Sequence, residues 1–177
     1  MIKEIDRINR VVSDLLSFAS PKAADMKPTS VAELVEHVVR LIEADAQSQN
    51  IEIQSAISPG LDDIPLDAYQ MTQALLNLIL NALKLMNSGH IQVTARLNED
   101  ESNLILKVED EGPGIPSENM GKIFDPFFTT RETGTGLGLS IVHKIVEYHN
   151  GEISVESPPT GKTCGSSFTM TIPVKPG

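Results

Sequence analysis

The apolar positions of this chain switch repeatedly between a helical and a strand period. Ile5, Ile8, Val12, Leu15 and Ala19 recur three, four, three and four apart, a heptad seam suited to a helical bundle, and Pro21 stops it. After a polar stretch over 21–28, Ser30 with Glu33 three residues on marks a helix start whose two side chains can cap each other's backbone. Val31, Leu34, Val35, Val38, Val39 and Ile42 then keep helical spacing, and the helix runs to about Ser48. Residues 51–57 alternate as a strand does. Asp67 can cap a helix that turns Met71, Leu75, Leu78, Ile79 and Ala82 inward and ends near Ser88 and Gly89.

Residues 91–97 and 104–108 read as strands joined by an acidic turn, a hairpin whose second strand runs straight into Asp110-Glu111-Gly112-Pro113-Gly114. A short helix from Ser117, a loop over 124–133, a helix over about 136–149, and strands 152–157 and 166–173 complete the pattern. Helices grouped with largely antiparallel strands predict a two-layer α/β sandwich: a mixed, mostly antiparallel sheet with helices on one face. The expected division is 1–20 as one helix of a truncated bundle, 21–29 as a linker and 30–177 as the main domain. One core suffices for 177 residues.

Composition narrows this only slightly. The apolar fraction of 40% and charged fraction of 21% are those of an ordinary soluble protein. A formal net charge of -10 repels nucleic acid and anionic lipid, so neither is an expected partner of the general surface. Any phosphate ligand must be held by local geometry. The single cysteine, Cys164, cannot form an internal disulfide, which fits a reducing compartment. No run approaches the roughly 18–20 apolar residues of a membrane span, and the expected location is cytoplasmic, with any inner-membrane anchor belonging to a longer parent protein.

Three glycine- and amide-rich signals carry candidate chemistry. In Asn77-Leu78-Ile79-Leu80-Asn81-Ala82-Leu83-Lys84, the polar residues sit at helical offsets of four and three, so they share one face. Two amides among leucines cost about 1–3 kcal/mol each if buried unsatisfied. A ligand, a metal ion or a neighbouring loop would satisfy them. Asp110 ends a strand just before Gly112 and Gly114, which permit a sharp turn or a close approach of backbone to ligand. Gly134-Thr135-Gly136-Leu137-Gly138-Leu139-Ser140 opens a helix, and exposed amides at a helix start favour phosphate. It has neither the Lys-Ser/Thr ending of a P-loop nor the parallel βαβ setting of a dinucleotide fold. Between these signals, Phe124, Phe127 and Phe128 gather three of the chain's five phenylalanines on one loop, either a local staple or a lid.

Read in this order, the four blocks resemble the N, G1, F and G2 boxes of sensor histidine kinases, built on the Bergerat-type ATP-binding fold. Pro126-Phe127-Phe128-Thr129-Thr130 and the short lid look most like the nitrogen-regulation and zinc-responsive subgroup. The resemblance covers roughly 30–174, and 2–19 resembles the second helix of the family's dimerisation bundle. It implies phosphoryl transfer from ATP to a histidine, with Asn77, Asn81 and Lys84 as catalytic residues and Asn81 as the Mg²⁺ ligand. It further implies that Lys84 and the amides around Gly136 and Gly138 hold phosphates and that Asp110 bonds the adenine amino group. Gly112, Gly114 and Ile115 from the G1 box join the nucleotide site, as do Phe128, Thr129, Thr130, Arg131, Gly134, Thr135, Leu137 and Leu139 from the lid and G2 box. Leu85 stands where many members carry an aromatic residue against the nucleotide.

None of His37, His90, His143 and His149 opens a His-acidic-x-x-Asn-Pro pattern like the family's phosphoacceptor box. The implied partners are therefore a phosphoacceptor histidine helix upstream in the same parent kinase, a response-regulator receiver domain, and a second copy in a full-length homodimer. Two other classes share the fold. Gyrase-like and chaperone ATPases and anti-sigma serine kinases carry a glutamate one turn before the metal-binding asparagine, where this chain has Asn77. An amide cannot accept a proton from water or serine as a carboxylate can. A nucleotide-organised binding module without transfer is the remaining alternative.

Overall fold

The computed structural model describes residues 24–61, 63–131 and 134–174. The heptad seam over 5–19 and the bundle helix expected of 1–20 lie outside them. The described elements run β1 (Lys27–Thr29), α1 (Val31–Ser48), β2 (Ile51–Ile57), β3 (Ile64–Leu66), α2 (Ala68–Leu85), β4 (Gly89–Leu97), β5 (Asn103–Asp110), α3 (Gly138–Tyr148), β6 (Glu152–Glu156) and β7 (Ser166–Pro173).

Five strands form one open sheet in the order β2-β4-β5-β7-β6; the β2–β4 pair is parallel and the other three pairs are antiparallel. Strand register explains the layering. Val93 pairs with Val108 and Val108 with Phe168, while Ala95 pairs with Leu106 and Leu106 with Met170, so apolar rows stack across the sheet on one face. Alternate positions give the opposite face a row of Thr94, Lys107, Thr169 and Ser154. Among the described residues, the helices cover only the apolar face. Met71, Leu75, Leu78 and Ile79 from α2 and Val142 and Val146 from α3 are buried against it, and Val31, Val35 and Val38 bring in α1.

Helix starts follow the sequence signals. The Ser30 Oγ accepts from Glu33 N at 3.5 Å, and Asp67 Oδ1 accepts from Gln70 N at 3.0 Å. Asp67 also ties distant segments together, since its Oδ2 accepts from Asp25 N at 3.0 Å and its own N–H donates to His149 Nε2 at 3.0 Å. The other ring nitrogen of His149 lies 2.8 Å from the Ile145 carbonyl, which fixes the neutral tautomer with the proton on Nδ1. His149 is only 2% exposed, and burial pushes its pKa down against the opposing pull of Ile145 and Asp67.

Three expectations differ from the structure. The expected linker 21–29 ends in a strand, because Lys27–Thr29 pairs antiparallel with Ile64–Leu66 in a separate two-stranded ribbon. α2 ends at Leu85 rather than near Ser88, since Met86 is already extended and Gly89 enters β4 with φ +113°. The segment from Ser117 forms successive turns, not a helix: Pro116, Ser117, Asn119 and Lys122 each accept a bond from three residues on, with no longer ladder.

Candidate functional site

A cleft of about 1300 Å³ opens between α2, the start of α3, the turn after β5 and the loop before β7. Asn77, Asn81 and Lys84 line it from α2, where helical spacing turns all three outward while Leu78, Ile79, Ala82 and Leu83 face the core. The chain's net charge is -10, yet the charged groups lining this cleft among the described residues are one carboxylate, Asp110, and two cations, Lys84 and Arg131.

The start of α3 lies against the amides of α2. A Cβ built at Gly138 would come 3.5 Å from Asn77 Oδ1 and 3.6 Å from Asn81 Nδ2, so the helix start faces both side chains. Leu137 occupies the cap position and supplies no side-chain bond, which leaves the first amides of α3 without the acceptor that Ser30 gives α1 and Asp67 gives α2. An anion is the natural acceptor there. Gly136 makes this approach possible. It has φ +67°, and a Cβ there would overlap the backbone of Phe127, whose own N–H donates to the Gly136 carbonyl at 2.9 Å.

The opposite end of the cleft is built around Asp110, the last residue of β5. Its Oδ1 accepts from Gly112 N at 2.8 Å, and it takes a second backbone bond from Ser166. Burial pushes its carboxyl above the usual carboxylate range; those two bonds only partly offset it. The neighbouring Glu109 points to the other face of the sheet. Burial alone would raise it too, but Lys107 at 2.5 Å and Lys162 at 2.6 Å bring it below its ordinary value.

Gly114 and Ile115 line the cleft beside Asp110, as do Phe128, Thr129, Thr130, Gly134, Thr135 and Leu139 toward the start of α3. Gly112 and Leu137 do not line it. Gly112 packs against Met86 and acts through its bond to Asp110, and Leu137 is buried in the core. Leu85, in place of the expected aromatic, does line the cleft and is 47% exposed. Of the three loop phenylalanines, Phe124 stacks at a tilt on His143 with ring centres 5.6 Å apart, Phe128 faces the cleft, and Phe127 is 61% exposed with φ +68°.

Sequence reasoning missed the wall formed by Ser157, Thr163, Cys164, Gly165 and Ser166. These residues show no periodicity. The one available signal was Gly165, which has φ +93° and where any Cβ would overlap the Asp110 carbonyl.

An open, one-sided α/β sandwich, with a helix start that has no side-chain cap facing paired amides across from a partly buried aspartate, defines a class of nucleotide-binding ATPase domain. The chain belongs to the family described as histidine kinase-, DNA gyrase B-, and HSP90-like ATPase, whose model matches residues 66–176. It is 42% identical over 175 residues to the sensor histidine kinase ZraS of Escherichia coli, covering 98% of this chain and 37% of ZraS. It is 34% identical to sporulation kinase E of Bacillus subtilis, covering 97% of this chain and 23% of that kinase. The chain thus spans well under half the length of the curated relatives it matches. Among solved structures, full-length ShkA in complex with AMPPNP superposes with a TM-score of 0.87 at 28% identity, covering 99% of this chain and 37% of ShkA. Histidine kinase ThkA in complex with the response regulator TrrA superposes with a TM-score of 0.80 at 29% identity, covering 98% of this chain and 49% of ThkA.

Proposed function

We propose that this chain is the ATP-binding catalytic part of a two-component sensor histidine kinase, transferring the γ-phosphate of Mg-ATP to a histidine outside it for onward transfer to a response-regulator aspartate. The observation that carries this reading is the start of α3, which has no side-chain cap, set against Asn77 and Asn81, with a partly buried carboxylate at the other end of the same cleft. A phosphate chain occupies the first end and a purine the second.

Asp110 accepts the adenine amino hydrogen, and Ile115 and Leu85 give the base apolar cover. Lys84, Arg131 and the first amides of α3 hold phosphates through charge and backbone dipoles. Thr129, Thr130, Gly134 and Thr135 belong to the loop that closes over them. Asn81 supplies an amide oxygen to Mg²⁺, an ion that takes a few protein ligands and completes its shell with substrate phosphates. When bound, that ion neutralises charge on the phosphates. Asn77 orients its surroundings but has no basic lone pair, so water at this position is not activated. Positioning carries the catalysis. A receiver domain resembling TrrA is the onward partner, and the whole kinase is a homodimer working in the cytoplasm.

The test is transfer between separate polypeptides. Mixed with γ-labelled ATP and Mg²⁺, this chain should not label itself but should slowly label a protein segment carrying the family's phosphoacceptor box, slowly because a covalent linker's effective concentration is missing. Asn81→Ala should abolish the labelling. Rapid ATP hydrolysis, or label on one of the chain's own serines, would instead establish the gyrase-like or serine-kinase reading.

A further inference from the structure

The hydroxyl of Ser157 joins the two sides of the Asp110 end of the cleft. Ile115 N–H donates to Ser157 Oγ at 2.7 Å, and Ser157 Oγ donates to the Gly165 carbonyl at 2.8 Å. A single hydroxyl thus acts as acceptor and donor between the turn after β5 and the segment entering β7. Both segments are tightly confined. Gly114 has φ +81°, and a Cβ there would meet Ser157 Oγ at 2.8 Å and the Gly165 carbonyl at 3.1 Å. Gly165 has φ +93° and presses against the Asp110 carbonyl, and the next residue, Ser166, gives Asp110 one of its two backbone bonds. Ser157 therefore holds Ile115, which covers the cleft, at a fixed separation from the backbone that orients Asp110.

We infer that Ser157 is a positioning residue for base recognition, setting the width of the slot between Ile115 and Gly165 and the aim of the Asp110 carboxylate. This rests on the reading of Asp110 as the adenine acceptor. The phosphate end is not involved, since Asn81, Lys84 and the start of α3 stand on other elements.

The base and phosphate ends can be separated with two probes, Mg-ATP and magnesium tripolyphosphate, the second measured by displacement of a fluorescent nucleotide. Ser157→Ala removes both bonds and should weaken ATP by about 5–20-fold, the loss expected when partly buried hydrogen-bonding groups are left unpaired, while tripolyphosphate affinity stays within twofold. Ser157→Thr, which keeps the hydroxyl, should restore ATP affinity. If Ser157→Ala does not fold, Ser157→Cys, which keeps volume and loses the strong bonds, carries the same expectation. Equal weakening of both probes, or unchanged ATP affinity, overturns the inference. Asp110→Asn tells the two failures apart. If ATP affinity survives that change, the adenine reading itself falls; if it is lost while Ser157→Ala binds normally, only the role of Ser157 falls.

Discussion

Asp110, proposed as the adenine acceptor, is costly for folding above the pH at which it ionises. Its carboxyl is raised above the ordinary range, burial being the main cause, so the stability it contributes is present at acid pH and is lost as pH rises through the raised value. Asp110→Asn does not titrate. Its thermal midpoint relative to the unaltered chain should therefore become more favourable between pH 4 and pH 7, and a trend in the other direction would refute the assignment of burial as the dominant cause. The same change should weaken ATP by about 10–100-fold, since a charge-assisted bond of roughly 1.5–3 kcal/mol is removed. Titration calorimetry with Mg-ATP at pH 7 measures this. For the unaltered chain, ATP affinity should begin to fall at a pH above that at which an exposed aspartate would protonate. The aspartate was legible in the sequence because it ended a strand and preceded two glycines; Ser157 was not, because its role depends on a contact forty-two residues away.

At the scale of elements, legibility followed periodicity. α1, α2 and the β4–β5 hairpin each carry a long apolar repeat, and their capping residues Ser30 and Asp67 act as the sequence suggested. The short β1–β3 ribbon did not show, since three residues containing a proline give no alternation to read and their pairing is set by tertiary context. The turns after Ser117 misled for a related reason. A helix-compatible composition there lacks the apolar face that would make a helix worth forming. The most constrained connection is the one entering α3. Gly136→Ala would place a methyl group in the Phe127 backbone and force a left-handed conformation costing about 1–2 kcal/mol. That strain should lower the thermal midpoint by about 2–8 °C, while Mg-ATP affinity falls at least tenfold. Affinity within twofold of the unaltered chain would mean that the loop does not set the phosphate site.

Across the whole molecule, His149 couples parts far apart in sequence, bonding the Asp67 amide at the start of α2 from the end of α3. Burial lowers its pKa, so its contribution to stability is complete above the unfolded value of about 6.5 and is lost as pH falls from there through the lowered folded value. Unfolding free energy should decline over that interval with a slope of at most about 1.4 kcal/mol per pH unit from this group. Denaturant titrations of His149→Asn should show that slope removed; an identical pH profile would show that His149 is not the group responsible. The one-sided sheet has a practical consequence as well. Thr94, Lys107 and Thr169 form a row across three adjacent strands on the face away from every described helix and from the cleft. A dye attached there, through Thr94→Cys with Cys164→Ser to leave one thiol, would ride on a paired strand inside the sheet without touching nucleotide. Paired with a second dye on a receiver domain, it would turn the proposed docking between the two proteins into a distance that can be watched in real time.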